Sequence, residues 1–311
     1  MPEAHHANSD RLPDETGYVA LTLGTFVPSR THRLMRSVKV VTIGGPAEHF
    51  VSMAFQDISI LLQLSLRSLG YDCELRDSVF DPTSLNIVLG YHLLPDAEQL
   101  RRHQCIVYQL EHLQGQHRGW LMLDDRKAAI LRAAQAVWDF SALNIAFLAA
   151  NGIDGVKHVP IGFHEEIKTV DKTAIEDIDI FFYGAINVRR KKILDELARC
   201  CRVKASFGIY GARRDHFIAR SKIVLNLRSG PTSIMEQPRV SYLLNNGQFV
   251  VTEDAADNPY DDAVVAVPYD SVVDCCLRYL ADDDGRKRMA ERGYSFLAER
   301  PMVEYLRRVL Y

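Results

Sequence analysis

Beyond residue 37 the chain alternates two patterns. Short runs rich in Val and Ile read as strands buried on both faces, and longer stretches with apolar residues at i, i+3 and i+4 read as helices. Residues 38–43 form the first strand, closing on Gly44-Gly45-Pro46, and helical spacing over 55–69 stops at Gly70. Strands are predicted over 73–76, 86–91, 105–110, 136–139 and 156–160, with helices over 96–103, 126–135 and 142–150 between them. The rhythm lapses in a polar, aperiodic stretch after Phe163, which reads as a boundary. It then restarts, with strands at 179–183, 203–207, 223–227, 249–252 and 264–268, and helices at 188–201, 215–221, 239–246, 271–280, 286–297 and 303–310. The expected class is α/β: a flexible polar leader over 1–36, then two Rossmann-like doubly wound domains over 37–165 and 176–311, facing across a cleft. The last helix is placed to pack back on the first domain.

With 311 residues, 47% apolar and 25% charged, the chain can bury roughly three quarters of its unfolded surface, so it needs no disulfide or metal staple. A formal charge of −3 disfavours a nucleic-acid backbone as main partner. The six cysteines include no Cys-x-x-Cys and read as reduced core thiols. That usage, with no apolar run near the ~18 residues of a transmembrane segment, implies a cytoplasmic protein.

Charge is unevenly placed: between Arg189 and Arg228 stand twelve Lys/Arg and three acids. Arg189-Arg190-Lys191-Lys192 opens a helix, where the dipole disfavours cations. The turn before it, Gly184 to Asn187, offers free backbone N–H groups suited to a phosphate. Two readings stand: a pyrophosphate cradle, or a solvated helix start paired with Asp195 and Glu196. There is no Gly-x-Gly-x-x-Gly and no Walker loop.

The run Phe182-Tyr-Gly-Ala-Ile-Asn-Val-Arg-Arg190, then Ile209-Tyr-Gly211, Ser221-Lys-Ile-Val-Leu-Asn226 and the stretch from Arg239 to Glu253, resembles the C-terminal domain of GT-B glycosyltransferases of the CgeB-like, group 1 type. Tyr108-Gln-Leu-Glu111 and Val137-Trp-Asp-Phe-Ser141 with Asn144 give a looser match in the first half. The resemblance implies a nucleotide-diphosphate sugar of the UDP or GDP type as co-substrate, with no further cofactor. The acceptor, on the first domain, is a glycan, small molecule or peptide. Gly184, Asn187, Arg189 and Arg190 would lie against the diphosphate, and Tyr210 and Gly211 near the base. Lys222 and Asn226 would support the loop beneath, Glu236 and Arg239 would face the ribose, sugar or phosphates, and Gly45 would contact substrate. One departure matters: the paired glutamates of retaining relatives fall here on Ile234 and Tyr242, which leaves stereochemistry open.

For a general base the candidates are groups just past first-domain strands: His49, Glu111 and Asp139. Each has a plain alternative, respectively a solvated helix-entry residue, a buried arginine partner and a helix N-cap. Asp124-Asp125 and Asp282-Asp283-Asp284 read as caps or turns, so no metal is expected. Tyr91, Trp120, Trp138 and Phe140 are candidates for sugar stacking or for the core. The rival readings are an epimerase or hydrolase of the nucleotide sugar, and a nucleotide-binding shell without catalysis.

Overall fold

The computed structural model describes residues 37–44, 53–113, 122–230 and 234–310. The leader, Gly45, His49 and Trp120 lie outside these described residues. Eleven strands are described: β1 (Ser37–Thr42), β2 (Asp72–Asp77), β3 (Leu85–Leu89), β4 (Cys105–Gln109), β5 (Ala136–Asp139), β6 (Lys157–His158), β7 (Ile178–Tyr183), β8 (Val203–Ser206), β9 (Ser221–Asn226), β10 (Val250–Glu253) and β11 (Val265–Val267). They form two all-parallel sheets, ordered β2-β1-β3-β4-β5-β6 and β11-β10-β9-β7-β8. Strand order reverses beside β1 in the first sheet and beside β7 in the second. In open α/β sheets, ligands bind in the crevice outside the carboxyl ends at such points.

Ten α-helices are described: α1 (Gln56–Ser68), α2 (Glu98–Arg102), α3 (Asp125–Ala133), α4 (Ala142–Ala150), α5 (Val188–Ala198), α6 (Gly211–Ala219), α7 (Gln237–Asn245), α8 (Val272–Leu280), α9 (Asp283–Ala298) and α10 (Met302–Leu310). The period of two along each strand divides the core. Val38 and Val40 of β1, Ile87 of β3, Phe181 of β7 and Val224 of β9 point into one apolar cluster shared by both halves. Val41 and Val88 face a second cluster on the far side of the first sheet, and Ile180, Phe182 and Ile223 a third behind the second sheet. The shared cluster also takes Ile58 and Leu62 of α1 together with Met302 and Leu306 of α10.

The chain returns to its first half at the end. α10 packs on α1. Phe163 N donates to Arg300 O at 2.9 Å, and Met302 N returns a bond to Phe163 O at 2.9 Å. Gly162 lies so close that a Cβ there would stand 2.5 Å from the Arg300 carbonyl.

Most elements match the sequence pattern, with local differences. The last strand of the first sheet holds only two residues instead of 156–160. α6 starts at Gly211, four residues earlier than expected, because its N-cap, Tyr210, contributes no side-chain bond that would mark the start. Asp124 caps α3 by accepting from Lys127 N, and Asp282 caps α9 by accepting from Gly285 N. Cys200 and Cys201 lie just past α5 and Cys200 is exposed, so it is not a core thiol. Among the described residues, no helix is long and apolar enough to cross a membrane.

Candidate functional site

A cavity of about 300 Å³ opens between the carboxyl ends of the two sheets. Its first wall holds Phe55, Asp57 and Ile58 at the start of α1, and Leu110 and Glu111 just past β4. The opposite wall is Tyr183 to Ala185 past β7, Phe207 to Tyr210 past β8, Arg214 of α6, and Glu236, Pro238 and Arg239 at the start of α7.

The second wall is built around Gly184, whose φ of +139° suits glycine. A Cβ there would lie 3.1 Å from Arg239 Nη2 and 3.7 Å from Arg190 Nη1. The two guanidinium groups differ in their commitments. Arg190 is buried and spends its donors on the protein: Nε and Nη2 bond Leu227 O at 3.0 and 2.6 Å, and Nη1 bonds Ala185 O at 2.8 Å. Burial, with Arg239 nearby, lowers its pKa to about 10 against the pull of Glu236. Arg239 stands over the Tyr183 ring and gives Nη1 to Asn226 Oδ1 at 2.9 Å, while its buried Nε meets no partner. A buried donor left unpaired costs about 1–3 kcal/mol, so this guanidinium keeps hydrogen-bonding capacity that the protein does not use.

Across the cavity Glu111 ends the turn after β4. Burial, reinforced by the Glu236 carboxylate, pushes the Glu111 carboxyl up to about 7. Glu236 itself shows the reverse: burial alone would raise it, but His112, Arg239 and Arg190 together hold it below the usual range. The cavity therefore carries one carboxyl poised to exchange a proton near neutrality and one kept ionised, beside an arginine with an unused donor.

Several expected site residues stand elsewhere. Arg189 points away from the cavity into a pair with the buried Glu253, which Arg228 shares at 2.7 Å, and its guanidinium stacks 3.8 Å from the Tyr269 ring. Asn187 is the N-cap of α5, accepting from Arg190 N at 2.9 Å, so that helix end is already occupied. Lys222 sits at the amino end of β9 paired with Asp179 at 3.0 Å, remote from the carboxyl ends. Gly211 opens α6 against Gln56 of α1 rather than lining the cavity. Asn226 supports Arg239 from below, as the Thr252-bonded member of that contact. Asp139 is fully buried and is not among the residues that line this cavity, so it is not placed as a base there. Trp138, Phe140 and Tyr91 are core residues, Trp138 packing edge-on against Tyr108.

Sequence reasoning missed the cavity roles of Asp57, Arg214 and Phe207, since nothing local marks a pair 157 positions apart. It also missed Gln109, although that residue lies in the Tyr108-Gln-Leu-Glu111 run. Among the described residues, no three His, Cys, Asp or Glu side chains gather as a metal site requires.

No family model matches the chain. An uncharacterized protein of Acanthamoeba polyphaga mimivirus is 28% identical over 161 residues, which is 46% of this chain and 50% of that protein; the match thus spans about half the length of this relative. Solved structures of similar architecture include a variant of Staphylococcus aureus TarM in complex with fondaparinux, α-GlcNAc-glycerol and UDP, with a TM-score of 0.54, 10% identity, and 85% of this chain and 58% of that one covered. The α,α-trehalose 6-phosphate synthase of Burkholderia multivorans gives a TM-score of 0.51 at 11% identity, over 86% and 76% of the two chains. A Listeria monocytogenes protein assigned as a UDP-N-acetylglucosamine 2-epimerase gives 0.50 at 11% identity, over 88% and 95%. The fold is that of the GT-B glycosyltransferases, two Rossmann-like halves with a cleft between them. At these identities the likeness establishes the fold alone.

Proposed function

We propose that the protein is a glycosyltransferase that moves a sugar from a UDP- or GDP-type donor to an acceptor hydroxyl, with Glu111 as general base. The donor diphosphate lies over Gly184, where the absence of a side chain lets oxygens approach the Arg239 guanidinium and the backbone. Tyr210 and Phe207 flank the nucleoside, and the ionised Glu236 accepts from donor hydroxyls. The acceptor enters from the first half, its hydroxyl on Glu111. In the reaction the acceptor oxygen bonds the anomeric carbon, the bond to the diphosphate breaks, the proton passes to Glu111, and Arg239 meets the charge on the leaving group.

A single observation carries this reading: a carboxyl raised to about 7 lines the same 300 Å³ cavity as an arginine with an unused donor, on the opposite wall. The UDP in the TarM complex supports the ligand class through fold only. The test is a thermal-shift screen of nucleoside diphosphates, followed by donor turnover with and without acceptor extracts. UDP or GDP should raise Tm. Glu111→Gln should keep that response while losing about 10²–10⁴-fold in transfer. No response to any nucleoside diphosphate overturns the reading, and turnover independent of acceptor replaces it with hydrolysis or epimerisation of the donor.

A further inference from the structure

Beneath the Glu111 turn lies a polar cluster that the proposed chemistry does not use. Its centre is Asp139, the last residue of β5, fully buried and paired in register with Gln109 of β4. Three hydrogen-bond partners of its carboxyl are identified, and all are donors. Ser141 N reaches Oδ1 at 2.8 Å, Asn144 Nδ2 reaches Oδ1 at 3.2 Å, and Gln109 Nε2 reaches Oδ2 at 2.9 Å.

An ionised carboxylate only accepts, so it dictates which end of each amide faces it. Gln109 must present its nitrogen to Asp139, and its oxygen is thereby turned to Glu111 N, which donates to Oε1 at 2.6 Å. The same Nε2 also reaches Glu111 O at 2.7 Å. Asn144 is set likewise: Nδ2 donates to Glu111 O at 2.7 Å while Oδ1 accepts from Leu113 N at 3.0 Å. Both main-chain groups of Glu111, and the N–H two residues on, are therefore held by two fully buried amides, whose sense the Asp139 carboxylate and these main-chain groups fix together. The cluster is tied to the other half as well, since Ser141 Oγ donates to Asp257. Burial raises the Asp139 carboxyl to about 7, while its three donors favour the ionised form.

We propose that Asp139, acting through Gln109 and Asn144, is the positioning residue of the general base: the polarity of this cluster sets where the Glu111 carboxyl stands in the cleft. This rests on the reading of Glu111 as base. Asp139 touches no substrate. Its neutral isostere would turn a donor toward the Gln109 amide; that amide must then flip, and the flip sets its NH₂ against Glu111 N–H.

The experiment compares Asp139→Asn and Glu111→Gln in the full chain. Four quantities are read: kcat for transfer, KM for the donor, the midpoint of the acid limb of kcat/KM, and the Tm shift given by the activating nucleoside diphosphate. For Asp139→Asn, kcat should fall by about 10–100-fold, the cost of a small misplacement of a reacting group. Donor KM should stay within about twofold and the nucleotide response should persist, because the second wall is untouched. The acid-limb midpoint should move down from about 7 toward the ordinary carboxylate range as the loosened turn admits water to Glu111. Wild-type kcat and midpoint in Asp139→Asn would overturn the inference. If Asp139→Asn does not fold, Asn144→Ala removes one donor to Glu111 O; lower kcat at unchanged donor KM supports the inference and unchanged kcat refutes it. Full activity in Glu111→Gln would instead refute the base reading itself.

Discussion

The Asp57 carboxylate of α1 and the Arg214 guanidinium of α6 form a two-pronged pair across the boundary between the two halves, one prong at 3.1 Å, with Arg214 only 3% exposed. Arg214 also binds Asp215 through Nε and Nη2 at 3.0 and 2.9 Å and lies 3.9 Å from the Tyr242 ring. Tyr242 OH donates to Asp215 in turn, at 2.7 Å. The pair lines the cavity, so the structure that joins the halves is part of the cleft wall.

Replacing Arg214 by Ala leaves two carboxylates facing each other in a largely buried site. Removing one member of such a pair costs about 3–5 kcal/mol. For a chain of this size that corresponds to a Tm lower by roughly 6–20 °C, at ~2–4 °C per kcal/mol. Differential scanning calorimetry would show it, and a change under 2 °C would mean the pair contributes little.

The arginines of the second half divide by environment, and nucleotide binding should divide with them. Arg239→Ala should abolish the nucleotide-induced Tm rise. Arg189→Ala should leave that rise intact, since Glu253 and Tyr269 take up its side chain. Arg190→Ala should lower the Tm of the free protein, because Leu227 O and Ala185 O lose a buried donor, at about 1–3 kcal/mol. Titration calorimetry with UDP and GDP on the three variants checks the division.

The division also shows what the sequence could and could not reveal. Strands buried on both faces announce themselves as continuous Val/Ile runs, and nearly every element was legible for that reason. The basic helix start at 189–192 was equally visible, but its meaning depended on Glu253 and Leu227, 64 and 37 positions away, which claim Arg189 and Arg190. Glu111 was legible as a polar residue at a strand end. Asp139 shared that signature, and only the fold distinguishes the one facing the cleft from the one beneath it.

Activity should depend on pH through Glu111. A base works ionised, so kcat/KM should fall as pH drops through about 7. Stability takes the opposite sign. The folded carboxyl is raised above its ordinary value of 4.5, so the native state binds the extra proton between about 4.5 and 7, and stability is lost as pH rises through that window. Glu111→Gln should therefore match wild type in Tm at pH 4 and exceed it at pH 8. Equal melting temperatures at both values would contradict the raised carboxyl.

Gly162→Ala forces a Cβ to within 2.5 Å of the Arg300 carbonyl and 2.7 Å of Met302 N, both main-chain atoms that cannot turn aside. The seam between residues 162 and 302 should open, with faster chymotrypsin cleavage after Phe163 and a lower Tm. Unchanged proteolysis would place the tolerance of that seam higher than its geometry implies.

That seam bears on how the protein is made. The shared core under α1 is finished only when Met302 and Leu306 arrive, so translation leaves Ile58 and Leu62 without these covering side chains until residue 306 has emerged. A gene split between the two sheets would yield a first product with part of its own core missing. Co-expressed fragments should associate for the same reason, with the trailing piece completing the leading one.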